Sequence, residues 1–287
     1  MNINWYPGHM KKTKESIEKH LSMVDLVFEL IDARIPYSSQ NPIIDEILKD
    51  KLRIIILNKK DLASDYANKL WSDYFQKEGL DYVFLDSLSG SGISDLIKMA
   101  HDKTSEKRKT YKKRGVINRP IRAMILGIPN VGKSTLINTL SGRKGTRTGN
   151  KPGITKSNQW IKIRGELELL DTPGILWPKF EDPDVGLNLA YIGSIRDEIL
   201  DTETLALKLI EKLVKINPNL LENRYNISTQ AKGHLDIMIE IGKKRGCIIK
   251  GGEVDFTKTA DIILDEFRKG IIGRYTLELP VKSDINE

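Results

Sequence analysis

The chain has 287 residues, 39% hydrophobic and 30% charged, which is room for one large or two medium domains and an ordinary balance for a soluble globular protein. No apolar stretch approaches the ~20 residues of a membrane span. No basic-then-apolar leader opens "MNINWYPGHM", and the lone Cys247 excludes an intrachain disulfide and suits a reducing cytoplasm.

The net charge of +7 is unevenly spread, with +11 on residues 1–180 and −4 on 181–287. A nucleic-acid partner or a bland basic surface would both suit such a half. In chain order, Ile17, Leu21 and Val24 give "KKTKESIEKHLSMV" one apolar helical face and leave a basic face outward. "VDLVFELIDA" (24–33), "LRIIILN" (52–58) and "LDYVFLD" (80–86) are short apolar runs bounded by turn residues, the pattern of buried parallel strands. Helical patterns separate them: "PIIDEILKD", then "SDYANKLWSDYFQKEG" ending at Gly79. "SGISDLIKMA" follows, with Ser94 as its expected cap. This alternation predicts a doubly wound α/β domain.

Residues 102–119 hold eight basic and two acidic residues and almost nothing apolar, which predicts a solvated linker. "IRAMILG" (121–127) is a further buried strand, followed by a helix "KSTLINTLSG" ending at Gly142. "SNQWIKIRG" and "LELLD" read as a strand pair joined at Arg164-Gly165. Beyond about residue 180 the period becomes helical. Leu205, Leu209, Leu213 and Ile216 share one face, and "STQAKGHLDIMIEIGKKRG" and "TKTADIILDEFRKG" are further amphipathic helices. The expected organisation is an α/β domain over 1–180 and a smaller all-helical domain over 181–287.

Gly127-Ile128-Pro129-Asn130-Val131-Gly132-Lys133-Ser134, with Thr135 behind it, is a full phosphate-loop match between a strand and a helix. The glycines let backbone N–H groups turn inward on phosphate oxygens. The helix N-terminus adds favourable field. Lys133 reaches the β- and γ-phosphates, and the Ser134 hydroxyl binds Mg²⁺. Asp171-Thr172-Pro173-Gly174 is a common turn by itself. Behind a phosphate loop it becomes a DxxG motif, with Asp171 in the Mg²⁺ shell and the Gly174 N–H toward the γ-phosphate. Thr155 is the best-placed switch hydroxyl for Mg²⁺, with Thr148 its competitor.

Asn58-Lys59-Lys60-Asp61 closes "LRIIILNKKD" and fits an NKxD guanine clamp. The Asp61 carboxylate can accept from the N1–H and exocyclic amine of guanine, donors that adenine lacks there. Asn58 and Lys59 brace the loop. Asp86, Ser87 and the Leu88 backbone follow the next strand, where a GTPase places its second base-contacting loop. GTP is therefore the expected nucleotide.

The clamp precedes the phosphate loop, the reverse of an ordinary GTPase. Here the pieces run plain strand, NKxD, second base loop, phosphate loop, switch I, DxxG, so cyclic order is kept and only the starting point has moved. A fold survives this when its termini lie close together at the surface. The cut falls after DxxG, so the segment that senses the γ-phosphate runs directly into the helical half.

With "NWYPGHM", "DARIPYSSQNP" and "KGGEVDFTKTADIILDEFRKGIIGR" added to the permuted motifs, nearly the whole chain resembles the circularly permuted GTPases that assist ribosome assembly. The resemblance implies GTP hydrolysis during maturation of the large subunit and a C-terminal helical domain in contact with ribosomal RNA. That domain is net acidic, so such contact would use clusters such as Lys243-Lys244-Arg245 and Arg268-Lys269, with much phosphate contact left to the basic half. Two rivals are a signalling switch with a protein partner and no RNA, and a tRNA-modification GTPase. The +11 half counts against the first, and no modification constellation is visible for the second.

Ras-like enzymes follow DxxG with a Gln that orients the attacking water. Ile175 stands there, and an apolar residue at this point is what the resemblance implies. The water must be oriented from elsewhere, and His9 is the candidate; a structural histidine in a Pro-Gly turn is the other reading. Asn130, after Pro129, is either a brace of its loop or a ligand for K⁺, which could offset charge developing at the phosphates.

Overall fold

The computed structural model describes residues 10–116, 119–142, 159–163, 166–177 and 180–280. Helix α1 (Met10–Leu21) leads into strand β1 (Leu26–Asp32), then α2 (Pro42–Leu48), β2 (Arg53–Asn58), α3 (Asp65–Lys77), β3 (Tyr82–Leu85), α4 (Ile93–Lys103) and α5 (Ser105–Lys113). Strand β4 (Ile121–Gly127), α6 (Lys133–Ser141), β5 (Gln159–Ile163) and β6 (Leu167–Asp171) complete the α/β part. Helices α7 (Pro183–Tyr191), α8 (Thr202–Ile216), α9 (Asn219–Tyr225), α10 (His234–Lys244) and α11 (Phe256–Arg268) follow.

The strands form one sheet in the order β3-β2-β1-β4-β6-β5, parallel except for the β5 edge. β1 lies between β2 and β4 and every one of its residues is buried, as expected of a central strand covered on both faces. The spatial order explains the permuted chain. The phosphate-loop strand β4 has the plain strand β1 on one side and the DxxG strand β6 on the other. The NKxD strand β2 and then β3 lie beyond β1. The phosphate loop, the NKxD loop, the loop after β3 and the DxxG segment leave the same, C-terminal, edge of the sheet, where α/β folds bind ligands.

α8 buries Leu205, Leu209, Ile210 and Leu213 against Ile263, Leu264 and Phe267 of α11 and Ile237 and Ile241 of α10. This core is continuous with the sheet through Leu176, Leu189 and Ile192. Asp182, Asp201 and Asp255 cap α7, α8 and α11 by accepting the N–H groups of Asp184, Thr204 and Lys258 at 2.8, 3.1 and 2.9 Å. Gly242 lets α10 and α11 approach closely, since a Cβ there would lie 2.5 Å from Val254 and 2.7 Å from Thr259.

After α11 the chain returns as an extended strap over 271–280. Its Tyr275 and Leu277 N–H groups donate to the Leu62 and Arg34 carbonyls at 3.0 and 2.8 Å. Trp71 Nε1 donates to the Glu278 carbonyl at 3.0 Å.

Several expectations are corrected. The basic segment is not a linker: α4 runs to Lys103 and α5 occupies Ser105–Lys113. Lys and Arg are good helix formers, and Lys107 and Arg119 pin the segment to buried Asp25 at 2.7 and 3.3 Å. α4 starts at Ile93 with Gly92 as its cap, so Ser94 lies inside it. Val24 packs in the core but beyond the end of α1, and Ile216 is exposed at the last residue of α8. α10 begins only at His234; residues 228–233 are irregular, with a turn at 230–231. Arg164-Gly165, the expected joint of β5 and β6, lies outside the described residues.

Candidate nucleotide-binding site

β4 ends at Gly127, whose φ of 153° and close approach to Leu30 exclude a side chain: a Cβ would lie 2.5 Å from the Leu30 carbonyl oxygen. Asn130 follows with φ 60° and Gly132 with φ 106°, and α6 begins at Lys133. Ser134 and Thr135 continue its first turn, partly buried. The Lys133 ammonium is buried and donates to the Gly127 and Ile128 carbonyls at 3.0 and 2.8 Å. Burial pushes its pKa down to about 8, against the opposing charge of Asp171.

Asn58 ties three loops together. Its amide nitrogen donates to the Val131 carbonyl at 2.8 Å, and its amide oxygen accepts from the Ser87 N–H at 3.1 Å and hydroxyl at 2.7 Å. Gly132 is required beside it, because a Cβ would run into the Asn58 amide nitrogen. Thr139 of α6 donates to the Ser87 carbonyl at 2.7 Å. Ser87 is thus a buried brace, and Leu88 beyond it is exposed. Asp86 turns the same loop by accepting the Leu88 N–H at 2.8 Å. Burial would raise its pKa, but hydrogen bonds from Ser89 and Leu88 and the charge of Lys60 hold it down. The Lys60 N–H donates to the Leu85 carbonyl at 3.2 Å.

Lys59, at φ 60°, donates to the Asn130 carbonyl at 2.8 Å and pairs with Asp32 at 3.1 Å. Its pKa is lowered, burial outweighing Asp32. Asp32 ends β1 and is gripped on both oxygens by Arg34, at 2.8 and 2.7 Å. Burial would raise the Asp32 pKa, but the charges of Arg34 and Lys59 hold it well below the carboxylate range. Arg34 is itself fully buried and donates to the Tyr275 hydroxyl at 3.0 Å and the Arg268 carbonyl at 3.1 Å. Asp61, two residues past Lys59, stays exposed. Partial desolvation and the charge of Asp86 push its pKa up.

On the other side, Asp171 ends β6, buried beside β4. Thr172 donates to the Ile125 carbonyl at 2.5 Å. Gly174 sits under the phosphate loop: a Cβ would lie 2.9 Å from Pro129 and 3.1 Å from Lys133 Nζ. Ile175 donates its N–H to the Gly127 carbonyl at 3.1 Å and buries its side chain with Val27, Ile44 and Leu170. It is core, not site. His9, Thr148 and Thr155 lie outside the described residues. The Ser134 hydroxyl and Asp171 carboxylate are hard oxygen donors of the kind Mg²⁺ takes, so the described donor set fits that ion.

Sequence reasoning missed two links to the helical half. Asn130 Nδ2 donates to the Gly193 carbonyl at 2.6 Å, and Ser194 Oγ donates to the Pro129 carbonyl at 2.8 Å. The Arg34–Tyr275–Arg268 junction is the other. No local pattern marks either, because both join residues more than sixty positions apart.

A phosphate loop on a mostly parallel sheet, braced by an NKxD loop that precedes it in the chain, defines a P-loop GTPase of circularly permuted order. Residues 122–238 match the family of 50S ribosome-binding GTPases, a match that begins at β4 and leaves out the NKxD half. Ribosome biogenesis GTPase A of Priestia megaterium is 44% identical over 99% of this chain and 99% of its own. The Thermotoga maritima protein of that name is 30% identical over 97% and 95%. GNP-bound YlqF from T. maritima superposes with a TM-score of 0.65 at 26% identity, covering 94% of this chain and 98% of its own. A GDP-bound YlqF structure gives 0.66, also at 26% identity, over 92% and 99%. The chain belongs to the ribosome biogenesis GTPase A family. No helix among the described residues is long and apolar enough to cross a membrane.

Proposed function

We propose that this protein is a cytoplasmic, GTP-hydrolysing assembly factor of the large (50S) ribosomal subunit, binding pre-ribosomal RNA in a GTP-dependent manner. The observation that carries the coupling is the direct seam between phosphate loop and helical half, Asn130 to Gly193 and Ser194 to Pro129. Residues 1–180 would form the GTPase domain and 181–287 the RNA-contacting domain. Asp61 reads guanine, with Asn58, Lys59, Lys60, Asp86 and Ser87 shaping its pocket. Residues 130–135 and Gly174 take the phosphates.

Ser134, Asp171 and Thr155 would hold Mg²⁺, which supplies charge neutralisation on the β- and γ-phosphates when bound. Asn130 is our candidate ligand for K⁺. Lys133 holds its proton at the loop mouth, since a pKa of about 8 keeps most of it charged at neutral pH. Ordering of the segment after Asp171 by the γ-phosphate would set the pose of the helices. Co-sedimentation tests this reading. The protein with a non-hydrolysable GTP analogue should comigrate with large subunits or their precursors, and GDP should weaken binding about tenfold. Equal binding in both states, or none, would refute it.

Ile175 cannot orient water, being apolar and buried. We assign that task to His9. A positioned polar or basic group is worth about 10²–10⁴-fold. His9→Ala should lower ribosome-stimulated hydrolysis by about tenfold or more and leave GTP affinity within about twofold, because the loss lies in kcat. A normal stimulated rate returns His9 to a structural role.

A further inference from the structure

α5 is an unusual helix. None of its residues is buried, and a helix that is polar all round needs a reason other than core packing. Its inner side is held by charge. Lys107 pairs with Asp25 at 2.7 Å, and the Arg119 guanidinium lies 4.1 Å from the centre of the Tyr111 ring. Its outer side carries Arg108, Lys109, Lys112 and Lys113, with Arg114 just past its end, all exposed. Lys109 is paired with Glu106. Lys112, Lys113 and Arg114 are in no ion pair among the described residues.

The position matters as much as the charge. Asp25 immediately precedes β1 and Arg119 precedes β4, and Lys103, the last residue of α4 just before α5, pairs at 2.6 Å with Asp81, which precedes β3. α5 is therefore fastened to the N-terminal edge of the parallel sheet, while Gly127, Asn58 and Asp171 end their strands at the opposite edge. The seven residues of β1 and of β4, at ~3.3 Å per residue, separate the two edges by roughly 20 Å. Further cations collect at the same edge: Lys51, whose pKa is lowered by burial and then by the charge of Lys107, and Arg122, which pairs with Glu168 at 3.0 Å.

We infer that α5 and its edge form a nucleotide-independent anchor for the phosphodiester backbone of RNA, separate from the switch-coupled contact of the helical half. Charge complementarity selects the partner, since an unpaired run of cations on a helix of no core value matches a polyanion. Independence follows from the fastening: the side chains that tie α5 to the sheet reach strand beginnings, at the edge away from the loops that meet the nucleotide. The inference rests on the ribosomal reading above.

The test is a triple charge reversal, Lys112→Glu, Lys113→Glu and Arg114→Glu, at exposed positions outside the nucleotide site. Binding is measured to large-subunit particles and to protein-free large-subunit RNA, with GDP and with a GTP analogue, over a salt series. Affinity should fall at least tenfold and by the same factor in both nucleotide states. The log–log salt slope should shrink by about two, at roughly 0.7–0.9 for each phosphate that is no longer neutralised. Basal GTP hydrolysis and the circular dichroism spectrum should be unchanged. Unaltered affinity and slope overturn the anchor alone, and a loss confined to the GTP state overturns its independence. If the unaltered protein binds neither particle nor RNA, the ribosomal reading falls and takes the anchor with it. In a parallel arm with phosphatidylglycerol vesicles, loss of binding to the vesicles without loss on RNA would overturn the assignment to RNA.

Discussion

Replacing Arg34 with methionine should destabilise the protein by about 3–5 kcal/mol, the usual consequence of removing one partner from a buried ion pair. Methionine fills much of the stem's volume, so the loss is chiefly that of the guanidinium. Asp32 would keep a buried carboxylate with only the charge of Lys59 and the backbone N–H of residue 34, at 3.1 Å, beside it, and Lys59 is already shared with Asn130. Tyr275 keeps its own donation to the Phe267 carbonyl at 2.6 Å but loses its donor. The Arg268 carbonyl is deserted as well.

Denaturant unfolding at neutral pH measures the effect as a shift in midpoint. A change below about 1 kcal/mol would mean that the site repacks and that the pair adds nothing. The double variant Arg34→Met, Asp32→Asn should recover part of the loss, because the orphaned charge is gone; simple additivity of the two would argue against a coupled pair. The sign of the pH dependence follows from Asp32. Its folded pKa is depressed, so its contribution is present above the unfolded value of about 3.9 and is lost as pH falls below it. Arg34→Met should flatten that acid limb.

This junction is invisible in the sequence for a physical reason. Asp32 and Arg34 are two apart, but what makes them a pair is burial under Tyr275, more than two hundred residues away. "IRAMILG", the phosphate loop and α6 are legible because an apolar run, fixed glycine spacing and a helix start coincide within twenty residues. β1 and β2 are legible because strands covered on both faces are mostly apolar, and β3, a half-buried edge strand, because "YVFL" is an unbroken apolar run. α5 is not, because composition alone cannot separate a solvated linker from a helix pinned by one distant carboxylate. α7 has a local mark, Asp182-Pro183, the N-cap and first-turn proline of a helix. The place of Ser87 after β3 suggests a base contact, and the structure shows its hydroxyl turned to Asn58.

Asp61→Asn should turn a GTP-selective site toward xanthosine nucleotides. Asn58 is fixed to Val131 and Ser87, and Lys59 to Asn130 and Asp32. The backbone that carries Asp61 is therefore set by buried contacts the substitution does not touch. Asp61 itself is exposed and forms no ion pair among the described residues, so its carboxylate is available to a ligand. Guanine offers it two donors, the N1–H and the exocyclic amine. Asparagine keeps one acceptor and places an N–H₂ opposite that amine, donor against donor. A charged hydrogen bond lost in this way is worth about 1.5–3 kcal/mol, or roughly ten- to 150-fold in GTP affinity. Xanthine carries a carbonyl where guanine has the amine, so the new N–H₂ meets an acceptor and XTP should gain over GTP. Lys133 and the rest of the phosphate loop are unchanged, so binding of phosphates should persist in the XTP complex. Calorimetric titration of both nucleotides against both proteins decides the matter. Equal affinities in the variant and the parent, for GTP and for XTP alike, would remove Asp61 from the base pocket and with it the reading of Asn58–Asp61 as a guanine clamp.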